Sequence, residues 1–156
     1  MPAGGRLGQR LARKATGLAC ADGLADPHDS YGPNRFRRLA AQGKDIVLFG
    51  EGEERRDHVL IDDVAELIFR ILSRGSTGTL NIATGAVHSF RSIAEMVVAA
   101  AASKVAITST PRIGPMPHNG YRPFDPAACR AFPDFSYVSL PEGIRRVQRE
   151  MEEAGG

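Results

Sequence analysis

The run GEGEERRDHVLIDDVAEL, from Gly50 to Leu67, sets a turn-forming glycine pair, Arg56 and Asp57 directly before an apolar strand and a helix start. A guanidinium is a planar fork of donors that meets a phosphate or carboxylate with two parallel hydrogen bonds, so an arginine fixed by a strand is an anion-binding group. The same side chain can instead pair with Glu53, Glu54 or Asp57 on a solvated turn, an arrangement worth about 0 to 1 kcal/mol. Residue chemistry alone favours that pairing. Asp57, Asp62 and Asp63 sit where turn and cap residues belong, so their expected role is to position Arg56 rather than to move protons.

Other groups promise less chemistry. His28, His58, His88 and His118 are scattered, and no metal site is expected from them. Arg35, Arg37 and Arg38 make one basic stretch that reads as a solvated helix face. The stretch GGRLGQRLA is rich enough in glycine for a dinucleotide turn, but only Met1 to Ala3 precede it, too little for the buried strand such a turn requires.

Composition narrows the remaining classes. With 156 residues, 42% hydrophobic and 24% charged, a single domain can bury roughly two thirds of its surface. The net charge of +2 argues against a nucleic-acid partner, because the basic excess is confined to Arg6, Arg10, Arg13 and Lys14, ahead of the first acid, Asp22. Cys20 and Cys129 are the only cysteines, with no secretory segment before them, so the expectation is a reducing cytoplasm and no disulfide framework. No apolar run approaches the roughly 18 residues that span a bilayer.

The elements that must position Arg56 follow from periodicity and punctuation. Residues 1–25, rich in Gly, Ala and Arg, offer too little apolar surface to anchor a helix and are expected to be poorly ordered. Pro33 and Asn34 open a helix that Gly43 can end. DIVLFG and RDHVLI read as strands joined through Gly50 and Gly52, and Asp62 or Asp63 caps a helix carrying Val64, Leu67, Ile68, Ile71 and Leu72. GTLNIAT reads as a strand; Ser89 or Ser92 then starts a helix, with Ser92 and Glu95 spaced as a capping box. KVAITST is a further strand, and the proline-rich run from Pro111 to Pro126 is a loop suited to cover a site. Two last helices are expected, near 126–132 and from Pro141 to about Glu152. Alternating short strands and helices define a small α/β layer.

In that order, DPHDSYGPNRF, IVLFGEGEERRDHVLIDDVAELI, GTLNIATG and YRPFD with FPDF and SLPEGIRR resemble the C-terminal half of the extended short-chain dehydrogenase/reductase family, the NAD-dependent epimerases and dehydratases of nucleotide sugars. The resemblance covers residues 26–156. It implies a small mixed α/β substrate-binding subdomain without a complete Rossmann domain. It also implies a UDP- or dTDP-linked sugar as ligand, and NAD as the cofactor of the intact family but of no site in this chain alone.

The resemblance assigns four contacts. Arg56 matches the arginine of a G-x-G-x-x-x-R-D pattern that grips the diphosphate, where losing a desolvated charge partner costs about 2 to 5 kcal/mol. Phe49 matches an aromatic set against the nucleotide base, though core packing would equally explain it. Asn81 matches an asparagine that hydrogen-bonds the nucleotide, though a strand asparagine also satisfies neighbouring backbone. Arg122 resembles a second arginine closing on the diphosphate from a mobile loop, with plain solvation as its alternative.

The sequence also departs from the family. The glycine fingerprint is missing, and so is Tyr-x-x-x-Lys: Tyr31 is followed four places on by Arg35, Tyr121 by Asp125 and Tyr137 by Pro141. The chain as written is therefore expected to oxidise nothing. The stretch before Asp26 departs as well, which implies a truncated, rearranged or frame-shifted start or an excised piece. In the family the two halves pack together, so an apolar face is expected on this half, covered by a second copy or by a Rossmann-domain partner. The other class of reading is a non-catalytic binding or interaction domain that kept the fold.

Overall fold

The computed structural model describes residues 32–115 and 124–155. The expected disorder of 1–25, Arg122 and most of the loop over the site lie outside them. Among the described residues the order is α1 (Pro33–Ala41), β1 (Ile46–Phe49), β2 (Arg55–Asp57), α2 (Ile61–Ser73), β3 (Val87–Ser89), α3 (Phe90–Ala100), β4 (Ile107–Thr110), α4 (Ala127–Ala131) and α5 (Leu140–Gly155). The class is small mixed α/β, as the sequence implies. The strands form two separate ladders: β1 runs parallel to β4 with Ile46 opposite Ile107, and β2 runs antiparallel to β3 with Arg56 opposite His88.

Two apolar clusters hold these pieces. In the first, Phe36 and Ala40 of α1, Ile46 and Leu48 of β1, and Ile93 and Val97 of α3 meet with Ile144 of α5. Phe36 and Phe90 stack edge to face at 6.2 Å, a geometry that aligns ring edge with ring face. The second cluster joins Leu67 of α2 to Ala128, Phe132 and Phe135. Arg74 lies 4.7 Å over the Phe132 ring, and Arg70 donates to Asp134 at 2.6 Å, closing the rim of that cluster.

Several elements differ from the sequence expectation. GTLNIAT forms no strand: Leu80 and Ile82 pack on the second cluster while Asn81 between them is exposed, an alternation with no ladder partner. RDHVLI pairs only through Asp57, and His58 to Leu60 leave the ladder. Neither Asp62 nor Asp63 is the cap of α2; the cap position is Leu60, without a side-chain bond. Asp63 is buried instead, and its Oδ2 accepts from the Val138 amide at 2.9 Å, tying α2 to the chain entering α5. Of the two expected starts of α3, Ser89 is the cap, accepting from the Ser92 amide at 3.1 Å, and the expected Ser92–Glu95 box does not form; the Ser92 hydroxyl donates to the Ser89 carbonyl at 2.9 Å.

Helix α2 also carries apolar residues on its outer side. Ile61, Ile68, Phe69 and Leu72 are exposed, Phe69 by 66% and Leu72 by 74%. No helix among the described residues is long and apolar enough to cross a membrane.

Two measurements check this account. Burial raises the Asp63 carboxyl above its ordinary range, and the Val138 amide pulls the other way. Asp63→Ala should cost about 1 to 3 kcal/mol in urea unfolding, because it orphans the Val138 amide, whereas Asp63→Asn, which keeps an acceptor, should cost less. Burial pushes His58 below its ordinary 6.5, so the unfolded chain takes up that proton first as pH falls. Its contribution to stability is therefore complete above pH 6.5 and lost as pH drops through the window beneath it. A pH series of unfolding midpoints should show that decline, and His58→Phe should flatten it.

Candidate functional site

Five residues, Gly50 to Glu54, connect β1 to β2, and the turn they make is fixed on two sides. Gly50 and Gly52 have φ of +58° and +70°, a region that favours glycine, and a Cβ at position 52 would stand 2.9 Å from the Arg91 amide nitrogen. The Gly50 amide donates to the Thr110 carbonyl at 2.8 Å, extending the β1–β4 ladder by one bond. On the far side, the amides of Phe90 and Arg91 donate to the carbonyls of Glu54 and Gly52 at 2.9 and 3.0 Å.

Each glutamate of this turn holds a different arginine. Glu51 takes Arg91 Nη2 at 2.5 Å, and Arg91 Nε also donates to the Glu51 carbonyl at 2.7 Å. Glu53 takes Arg112 Nε at 3.0 Å, and Arg112 Nη2 reaches the Phe49 carbonyl at 3.3 Å. Glu54, whose side chain is nearly buried, pairs with Arg56. Three cationic forks are thus arranged around one short turn, each held by a carboxylate that a stronger anion would have to displace.

The expected residues fall as follows. Phe49 ends β1 with its side exposed by 52%, which departs from the core-packing alternative. Arg56 is half-buried in β2 and pairs with Glu54, one of the partners foreseen from the sequence. Asn81 is exposed. The turn joins Phe49 to Arg56, and Asp57 bonds Thr84 and Gly85, three and four residues after Asn81. The Asp57 carboxylate accepts from Thr84 Oγ1 at 2.6 Å, from the Thr84 amide at 3.3 Å and from the Gly85 amide at 2.8 Å. The sequence assigned Asp57 to positioning Arg56; in the structure Glu54 pairs with Arg56, and Asp57 grips the 84–85 segment instead. Arg91, Arg112 and Thr84 were missed; three glutamates in five residues, which need counter-charges from elsewhere in the chain, were the available signal.

A cavity of about 420 Å³ lies elsewhere, at the starts of α1, α2 and α5, with Pro33, His58, Leu60, Val138, Ile144 and Val147 among its walls. Phe49, Arg56 and Asn81 are not among its lining residues. The walls are mainly apolar, and His58 Nε2 is buried there without a hydrogen-bond partner. The Gly50–Glu54 turn does not fit the pyrophosphate of NAD: it leads into a strand rather than a helix and carries three carboxylates, whereas a dinucleotide pyrophosphate rests on glycines at a helix start.

Residues 25–83, the segment that includes Phe49, Arg56 and Asn81, match the model of the NAD dependent epimerase/dehydratase family. No curated protein matches the chain significantly. Among solved structures, the epimerase Mth375 from Methanothermobacter thermautotrophicus is 20% identical over 81% of this chain and 38% of its own, with a TM-score of 0.68. UDP-N-acetylglucosamine 4-epimerase from Bacillus cereus is 22% identical over 78% of this chain and 43% of its own, with a TM-score of 0.66. UDP-glucose 4-epimerase from Thermotoga maritima, solved with UDP-glucose, is 20% identical over 81% of this chain and 42% of its own, at 0.66. Identity at this level carries the fold. The chain spans about two fifths of the length of these solved chains.

One prediction follows from the Asp57 grip. Asp57→Ala should speed amide hydrogen exchange at Thr84 and Gly85 by at least about tenfold, since each loses its acceptor. Amides within α3, which do not depend on Asp57, should keep their protection.

Proposed function

We propose that this chain is the nucleotide-sugar-binding part of an NAD-dependent epimerase/dehydratase, inactive on its own. The observation that carries the reading is a conjunction. The family match over 25–83 contains an exposed aromatic, an arginine on a strand and an exposed amide, and Asp57 ties the strand to the segment that follows the amide. In this reading Arg56 exchanges Glu54 for the diphosphate of a UDP- or dTDP-linked sugar, Phe49 lies against the base, Asn81 bonds the nucleotide and Arg122 closes from the proline-rich loop. A diphosphate offers a guanidinium two oxygens in the geometry of a carboxylate and more charge, so the exchange is favourable once the ligand is desolvated.

The chain's own residues supply binding and orientation. With no Tyr-x-x-x-Lys in the sequence, no tyrosine here is paired for proton abstraction. NAD belongs to a Rossmann-type layer that the residues described do not build. In this reading such a layer, or a second copy, rests on the exposed apolar face of α2, whose Phe69 and Leu72 support it. A reducing cytoplasm suits that activity. The reading from another class, a binding or interaction domain that kept the fold and lost the ligand, is separated from this one by titration.

Calorimetric titration with UDP-glucose and dTDP-glucose should give saturable binding to the intact chain. Arg56→Ala should weaken it by at least about thirtyfold, in line with the loss of a charge-assisted contact. Well-folded protein that binds neither ligand would leave the interaction-domain reading standing.

A further inference from the structure

The cavity at the starts of α1, α2 and α5 is lined by none of Phe49, Arg56 and Asn81 and has no part in the nucleotide-sugar reading. Most of its wall is apolar, from Pro33, Leu60, Val138, Leu140, Ile144 and Val147. Its volume of about 420 Å³ has room for a small ligand, since an apolar cavity of about 150 Å³ already admits benzene. One polar group breaks the apolar character of the wall. His58 lines the cavity, and its Nε2 is buried with no hydrogen-bond partner. The imidazole meets the Phe90 ring edge to face, with centroids 6.1 Å apart, a contact that sets its plane.

Gly143 of α5 is buried in the same wall. Its backbone is not left-handed, and a Cβ there would meet Leu60 Cδ1 at 3.5 Å, an ordinary contact. Neither backbone nor neighbour demands glycine, a poor helix former, and its missing side chain leaves space between α5 and Leu60. The charges at the rim are engaged with one another. Arg146 pairs with Asp62 of α2 at 2.8 Å and with Glu150 of α5 at 3.3 Å, and Arg37 donates to Asn34 at 2.7 Å. A charged ligand would lose its hydration here and gain little in return. Burial, the largest influence, keeps the His58 imidazole below its ordinary 6.5, while Asp57 pulls the other way. At neutral pH the ring is therefore uncharged, with one nitrogen a donor and the other an acceptor. A hydroxyl, which both donates and accepts, satisfies Nε2 in either tautomer.

We infer that this cavity is a ligand site in its own right, for a small neutral molecule with an apolar, ring-sized body and one hydroxyl that hydrogen-bonds His58 Nε2. A phenol or a cyclic alcohol belongs to this class. The walls take the body, the orphaned nitrogen fixes its direction, and the bare Gly143 leaves the space it occupies. The site is independent of the nucleotide-sugar reading and stands or falls without it.

Phenol and toluene, alike in shape and different in the hydroxyl, are the probes, titrated into the intact chain and followed by NMR at the amides of Leu60, Val138 and Gly143. Phenol should shift these amides saturably. The ratio of phenol to toluene affinity should fall by about tenfold in His58→Leu, as expected when one hydrogen bond to a buried group is lost. Comparing ratios cancels the difference in hydrophobicity between the two probes. Gly143→Leu, which puts a side chain into the space, should abolish binding of both, and Val147→Phe should do the same from one turn further along α5. Urea unfolding identifies the variants that fold, and either filling variant suffices. The inference is overturned if phenol fails to saturate in the folded wild-type chain, if the ratio is unchanged in folded His58→Leu, or if a folded filling variant still binds phenol.

Discussion

Two amide groups at the start of α3 hold the Gly50–Glu54 turn in place. A helix leaves its first N–H groups without acceptors, and here Phe90 and Arg91 spend theirs on the carbonyls of Glu54 and Gly52. The approach is close enough that only glycine fits at position 52. From this contact the surroundings follow. The positive end of the helix favours the carboxylates the turn brings to it, those carboxylates collect Arg91, Arg112 and Arg56, and β2 leaves the turn already aligned to pair with β3. The anion-binding potential of the region is thus a by-product of satisfying one helix end.

Helices were legible in the sequence because their apolar periodicity is internal to each segment. Phe36 and Ala40 lie buried on the face that spacing assigns to α1, whereas of the five residues that spacing lines up on α2 only Leu67 is buried, with Ile68 and Leu72 exposed. Strands were less so, since a strand exists only where a partner lies beside it. Leu80 and Ile82 alternate with Asn81 as a strand would, and they find a hydrophobic cluster but no ladder. The aspartates failed for a related reason: position next to a helix start suggests a cap, but Asp63 is turned inward by an amide from residue 138, seventy-five positions away.

The candidate site divides in the same way. Arg56 and its glutamate partner are two residues apart, so local sequence contained both. Arg112 and Arg91 reach the turn only through the β1–β4 pairing and the seating of α3, and no spacing rule connects residue 53 to residue 112. Asp57 was expected to position Arg56, but its partners are Thr84 and Gly85, which come within reach only where β2 and β3 meet. Local chemistry singled out Arg56, and tertiary contacts supplied its company.

Helix α2 is dry on the side of Leu67 and greasy on the side of Phe69 and Leu72, with its charges Glu66 and Arg70 drawn off into a bond with each other and with Asp134. In an ordinary globule the adhesive surface is hidden by folding, so a firmer fold is also a less sticky one. Here the finished fold keeps an adhesive strip on display, and tightening the core would do nothing to blunt it. Stability and colloidal behaviour are therefore independent properties of this chain, set by different residues on opposite sides of one helix.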